Sequence, residues 1–227
     1  MLQKEFWRQH YSSLHPRISE VGASKSMDYP NDRLQTYTYA QILEALGQLN
    51  GKSLLDAGCG WGVFSLIAHH LGASVTGLDY IGETIATLQS LHPTIHWVCG
   101  DFSDPLPRST LGVFDRVAAV EVLQYVDFHS GVTHLWETVA PGGRLAGCVP
   151  NSLCPFSQSV HERRAQWIPV SPSEIQQTAH SLPGCFAIYM RGLTYLEDQT
   201  FLPYAASDWK REITGTPNRI VFALLRE

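Results

Sequence analysis

Residues 54–64, "LLDAGCGWGVF", put an acid and three glycines (Asp56, Gly58, Gly60 and Gly62) into seven positions at the end of an apolar run. A glycine inside a helix or strand costs roughly 0.5–1 kcal/mol relative to alanine, so this cluster serves something other than stability. "SLLDA" (53–57) reads as a buried strand. Val63, Ile67 and Leu71, flanked by Phe64 and Ala68, make a helical stripe that stops at Gly72. The glycines therefore sit in a strand-to-helix turn. There they let the backbone leave the strand sharply and let a ligand approach without obstruction by a β-carbon. The helix after the turn presents free N–H groups and the positive end of its dipole.

The same rhythm continues outward. "SVTGLD" (74–79) gives a second strand and "ETIATLQSL" a helix ended by Pro93. "TIHWVCGD" (94–101) and "VFDRVAAV" (113–120) give the third and fourth strands. Val132, Leu135, Trp136 and Val139 sit at helical spacing before a turn "PGG" (141–143), and "RLAGCV" (144–149) is the fifth strand. Strands separated by helix-length segments imply βαβ units in a mostly parallel sheet. Such sheets bind ligands beyond the strands' carboxyl ends, near the point where strand order reverses. A ligand is expected where the acid and glycines lie.

The spacing G-x-G-x-G, with Val63 next, lacks the third glycine of the G-x-G-x-x-G fingerprint that cradles a pyrophosphate. Asp56 can accept hydrogen bonds from an ammonium or organise the loop, and Asp79, ending the second strand, can take a ribose diol. These features fit a nucleoside with a short zwitterionic tail and no phosphates.

At these residues the sequence resembles the class I S-adenosylmethionine-dependent methyltransferases, over about residues 50–150. "LLDAGCGWG" is similar to the family's glycine-rich first motif, and "VTGLD" to the second, whose acid binds the ribose. "CGDFSDPLP" is similar to the segment whose acid and next residue, Asp101 and Phe102, flank the adenine. "FDRVAAVEVLQYVD" and "VAPGG" resemble the fourth strand with its exit and the turn before the fifth. The resemblance implies an α/β, Rossmann-like, seven-stranded, mostly parallel sheet with an antiparallel last strand and helices on both faces. "CFAIYMRG" and "RIVFALLRE" close that sheet. It implies S-adenosyl-L-methionine as cofactor, with Asp56, Gly58, Cys59, Gly60, Trp61, Gly62, Asp79, Tyr80, Asp101, Phe102 and Glu121 around it. "EVLQYVD" (121–127) resembles the exit segment of the ubiquinone-pathway O-methyltransferases, whose E-x-L-E-H-V carboxylates and histidine are implicated in metal binding. Here Gln124 and Tyr125 replace the second acid and the histidine, so no metal is expected.

The acceptor end draws on segments outside the shared motifs. One domain is expected over 1–227, with an N-terminal helical lid (1–50), a cofactor core (51–150), and a substrate-side connection with the closing strands (151–227). Phe6, Trp7, His10, Tyr11 and Leu14 give one aromatic helical face, which either packs on the sheet edge or covers the acceptor. The connection 150–172 runs to a helix capped by Ser171 or Ser173, and 192–217 carries Tyr195, Phe201, Tyr204 and Trp209. Candidate general bases are Tyr125, His161 and His10.

Composition bounds the rest. In 227 residues, 44% are hydrophobic and 16% charged, and the net charge of −5 gives no footprint for nucleic acid or an anionic membrane. N/D-P-P-Y/F, the mark of DNA-base amino-methylases, is absent after strand four. Five scattered cysteines without C-x-x-C, an N-terminus without an apolar h-region, and no apolar stretch of about 18 residues lead to the expectation of a cytoplasmic protein. The expected function is methyl transfer to an oxygen or nitrogen, or a carbon, of a small organic metabolite, by a monomer or homodimer. The alternatives are methylation of a protein or tRNA, and a cofactor-binding protein without catalysis.

Overall fold

The computed structural model describes residues 5–9, 32–105, 111–164, 167–194 and 205–227. After a short helical piece at residues 5–9, α1 spans Asp32–Leu46. The chain then alternates through β1 (Ser53–Ala57), α2 (Val63–His70), β2 (Ser74–Asp79), α3 (Gly82–Leu91), β3 (His96–Cys99) and β4 (Phe114–Val120). A 3-10 turn at Leu123–Tyr125 leads into α4 (Phe128–Glu137) and β5 (Val139–Pro150). Next come α5 (Pro155–Arg163), α6 (Pro172–Ser181), β6 (Cys185–Thr194), β7 (Ala205–Ala206) and β8 (Arg219–Arg226).

The strands form one sheet in the order β3-β2-β1-β4-β5-β8-β6-β7. β1 to β5 pair in parallel, and β8 runs antiparallel between β5 and β6. Seven strands and the antiparallel closing strand match the expected pattern; the two-residue β7 is an extra piece on the edge of β6. Strand order reverses between β1 and β4, which opens a crevice beyond their carboxyl ends.

Period-two alternation along the strands feeds two apolar layers. Leu55 and Ala57 of β1, Val117 and Ala119 of β4, and Phe222 of β8 pack with Val132, Leu135 and Trp136 of α4 and Ile175 and Ala179 of α6. Leu54, Ala118, Ala146 and Val221 face the other way, onto Ile42 and Leu46 of α1, Phe64 and Ala68 of α2, and Ile85 and Leu88 of α3. Thus α1, although part of the segment expected to form a lid, buries its apolar side against the sheet. Helix starts are set locally. Asp127 accepts a hydrogen bond from the Ser130 amide at α4, and Ser171 and Glu174 form a reciprocal capping box at α6.

The "PGG" turn proves to lie inside β5. Phe114 pairs with Val139 and Arg116 with Arg144, so the residues around 141–143 are extra length looped out of a continuous strand. Gly142 takes φ 72°, and a β-carbon on Gly143 would lie 2.7 Å from the Ala140 carbonyl. Glycine there makes a bulge, which punctuation in a sequence cannot distinguish from a turn.

In β2, Gly77 leaves room for the Trp97 indole of β3, and a β-carbon there would lie 2.5 Å from Trp97 Cζ3. Gly77→Ala must displace that ring in a packed layer. It is expected to destabilise the fold by about 1–3 kcal/mol in urea unfolding, with Trp97→Ala in the same background recovering little because it opens a cavity.

Candidate active site

The glycine loop is held by β2. Gly58 and Cys59 amides both donate to the Leu78 carbonyl, at 2.8 and 3.0 Å, so the β1–β2 ladder runs past the end of β1. The backbone then turns through three left-handed glycines, Gly58, Gly60 and Gly62, with φ of 70°, 50° and 73°. A side chain at Gly58 would collide with Val122, and one at Gly62 would lie 2.6 Å from Trp97 Cη2. At this loop, conformation and crowding both demand glycine.

Two buried acids hold the turn and the helix starts beside it. Asp79 accepts hydrogen bonds from the Gly60 amide on Oδ2 and the Ile81 amide on Oδ1, both at 3.0 Å. Asp56 accepts a 2.6 Å bond from the Ser65 hydroxyl, together with the Ser65 amide in the first turn of α2. Of the two roles open to Asp56 from sequence, organising the loop is thus realised. Burial raises Asp56 to about 7, with Asp79 adding to the rise, and raises Asp79 to about 6 against the pull of its amide donors. Neither carboxylate forms an ion pair among the described residues. A buried carboxylate without a countercharge is costly, so this pocket is suited to a ligand with positive charge. A pyrophosphate would add to the repulsion.

On the far side of the crevice, β4 ends in Glu121, the one non-glycine with positive φ (53°) among the described residues. Its carboxylate accepts from Arg219 Nε at 2.8 Å, Cys148 Sγ at 3.3 Å and Gln124 Nε2 at 3.2 Å. Tyr125 comes next in the 3-10 turn, and its ring meets that of Trp7 edge-on, 5.2 Å between centroids. Trp7 and Tyr80 also pack on the small cluster of Trp61 and Ile81. The short helical piece at residues 5–9 therefore bridges the end of β2 and the exit of β4.

The remaining expected residues divide. Asp101 accepts the Ser103 amide at 2.9 Å in the turn after β3. Phe102 is buried in the α4-side core, its carbonyl hydrogen-bonded to His134 Nδ1 at 3.1 Å. The Cys59 side chain lies in the opposite core near Gly77, where burial raises its thiol pKa, so its backbone is what the loop uses. His161, near the end of α5, donates from Nδ1 to the Trp167 carbonyl at 2.8 Å. His10, Tyr11, Leu14, Tyr195, Phe201 and Tyr204 lie outside the described residues. Trp209 donates to Glu44 of α1 and stacks under Arg191, away from the glycine loop.

Sequence reading missed Ser65, Trp167 and Arg219. Arg219 opens an otherwise apolar strand, "RIVFALLRE", and an arginine there needs a buried acid. Which acid it meets depends on strand order.

Residues 55–147 match the family described as methyltransferase domain. The ubiquinone biosynthesis O-methyltransferase of Pseudomonas paraeruginosa is 35% identical over 102 residues, 43% of this chain and 44% of that protein. The mitochondrial ubiquinone biosynthesis O-methyltransferase of Bos taurus is 27% identical over 210 residues, 79% of this chain and 55% of that protein. The chain thus spans about half the length of these curated relatives. The magnesium protoporphyrin IX methyltransferase of Synechocystis PCC 6803, solved with bound S-adenosylhomocysteine, shares the fold at a TM-score of 0.65 and 18% identity, covering 98% of this chain and 97% of that one. The N-methyltransferase NodS of Bradyrhizobium japonicum WM9, in complex with the same compound, does so at 0.63 and 17%, covering 96% and 97%.

The acids have a signature in pH. Asp56 and Asp79 ionise at higher pH in the folded chain than in the unfolded one, so folding takes up protons between about pH 4 and 7. Stability of the ligand-free protein should fall as pH rises across that window and level off above it. Asp56→Asn should flatten much of that fall in melting temperature measured from pH 5 to 8.

Proposed function

We propose, from the premise that the chain belongs to the class I S-adenosylmethionine-dependent methyltransferases, that it transfers the methyl group of S-adenosyl-L-methionine to an oxygen or nitrogen of a small organic metabolite. The observation that carries this reading is the pair of buried acids, Asp56 and Asp79, flanking a turn through three left-handed glycines with no cation of the protein's own against them among the described residues. Relatives named as ubiquinone biosynthesis O-methyltransferases favour oxygen as the acceptor atom.

The residues present fit the cofactor. Asp79 accepts from the Gly60, Tyr80 and Ile81 amides and keeps lone-pair capacity for a diol hydroxyl. Asp56, oriented by Ser65, offers negative charge to an ammonium. Tyr80 and Asp101 stand at the carboxyl ends of β2 and β3, where a nucleoside would lie. When bound, S-adenosyl-L-methionine supplies an electrophilic methyl group on a sulfonium centre. The protein's part is then to align the acceptor, exclude water and receive a proton. Alignment supports effective molarities of about 10⁵ M or more, and a general base adds roughly 10²–10⁴ in rate. Trp7 and Tyr125 form the cover that keeps water out. Tyr125 is the proposed base at the mouth of β4, with His161 and His10 the other candidates. The lid of this reading is the segment containing Trp7, since α1 is part of the core.

Two measurements test it. Calorimetry with S-adenosylhomocysteine should show binding that releases protons near pH 6.5, because the ligand's ammonium pulls the Asp56 carboxyl toward ionisation. Asp79→Ala should weaken that binding at least about tenfold, the loss of one or two charge-assisted hydrogen bonds. Unchanged affinity in a folded Asp79→Ala protein would remove this acid from the site. In a screen of phenols and amines with methyl-labelled cofactor, removing residues 1–20 should cut turnover by about 10²-fold or more while weakening S-adenosylhomocysteine far less. Parallel loss of both would mean that the segment merely supports the fold.

A further inference from the structure

Three parts of the chain far apart in sequence meet at Arg219. The residue opens β8 in the middle of the sheet, opposite Pro150 of β5 and Leu193 of β6. Its Nε donates to Glu121 Oε1 at 2.8 Å, and the two side chains are 12% and 10% exposed. The guanidinium carbon lies 5.4 Å from the ring centroid of Trp167, on the connection between α5 and α6. The next residue of that connection, Ile168, donates its amide to the Gln124 carbonyl at 2.8 Å. Gln124 in turn donates to the Glu121 carbonyl at 2.9 Å and to its carboxylate. These contacts close a ring from β8 through the connection to the β4 exit and back.

Glu121 needs this ring. Its left-handed backbone is one that residues with a β-carbon avoid, and such geometry persists where the surroundings over-determine it. The groups facing its carboxylate are the Arg219 guanidinium from β8, the Cys148 thiol from β5, the Gln124 amide from the exit turn and, at longer range, the Tyr39 hydroxyl from α1. Among the described residues only Arg219 brings positive charge to it. We propose that Arg219 is a positioning residue: it anchors the Glu121 carboxylate in its left-handed turn and thereby holds the Leu123–Tyr125 turn, with Tyr125 under Trp7, at the acceptor end of the site. The proposal rests on the methyltransferase reading for its purpose but not for its geometry.

Without Arg219, the Glu121 carboxylate loses its countercharge and the left-handed turn loses its anchor. The test compares wild type with Arg219→Met, Glu121→Gln/Arg219→Met and Arg219→Lys. Two signals are monitored: the ¹⁵N indole resonance of Trp7, identified by its loss in Trp7→Phe, and calorimetric affinity for S-adenosylhomocysteine. In Arg219→Met the Trp7 resonance should move, and affinity should fall about tenfold. The double variant, which removes the stranded charge, should bring the Trp7 resonance back toward its wild-type position. Should Arg219→Met fail to fold, Arg219→Lys, which keeps the charge but loses the Nε donor, carries the same comparison in milder form. Variants that melt lower yet keep the wild-type Trp7 resonance would overturn the proposal and leave Arg219 a structural ion pair. Wild type that fails to bind S-adenosylhomocysteine would instead sink the cofactor reading, while the Trp7 response would still decide the role of Arg219.

Discussion

Asp79 ties two segments on one side of the crevice together, accepting from Gly60 in the glycine loop and from Tyr80 and Ile81 at the start of α3. A backbone amide buried without a partner costs about as much as a lost hydrogen bond, and the Gly60 amide lies past the β1–β2 ladder that serves Gly58 and Cys59. The carboxylate at the end of β2 supplies the missing acceptor. The loop conformation, the start of α2 and the mouth of the pocket depend on it. The same amide donors pull the Asp79 pKa down against the rise that burial imposes.

This arrangement trades stability for binding. Two carboxyls placed close together out of water oppose folding of the ligand-free chain, and each left-handed glycine lets the unfolded chain keep more freedom than another residue would. Both costs are offset only in part by hydrogen bonds inside the protein. A cationic ligand offsets more of them, so part of the binding energy is stored in the apo-protein as unpaired charge.

The two halves of the candidate site are built differently. One half is local: residues 54–80 supply the strand, the glycines, Asp56, Ser65 and Asp79 within two βα units. The other is assembled across the fold from Trp7, the exit of β4, the connection through Trp167 and the first residue of β8. The local half has its geometry fixed by hydrogen bonds within neighbouring strands and turns. The assembled half has it fixed by one ion pair, ring contacts and the hydrogen bonds of Gln124.

Sequence alone determined the features set by periodicity and by residue types tied to one backbone geometry. Alternation of period two and stripes of period 3.6 located β1, β2, α3 and β8 closely, because burial on known faces leaves few other readings. The run of glycines after β1 marked the sharp strand-to-helix turn, because few other residues tolerate three positive φ angles in five positions. Ser171 with Glu174 three positions later marked the start of α6. Tertiary structure decided the rest. "PGG" became a bulge within β5 because β4 continues beside it, and Phe102 entered the core because α4 lies over it. The half of the N-terminal segment in α1 joined the sheet, leaving Trp7 beside Tyr125. Glu121 met Arg219, 98 residues away, because the antiparallel β8 inserts between β5 and β6 and brings its first residue to the ligand end. A pattern along the chain specifies which face a residue presents to its own layer; which charge lies opposite depends on the order of strands that are not neighbours in sequence.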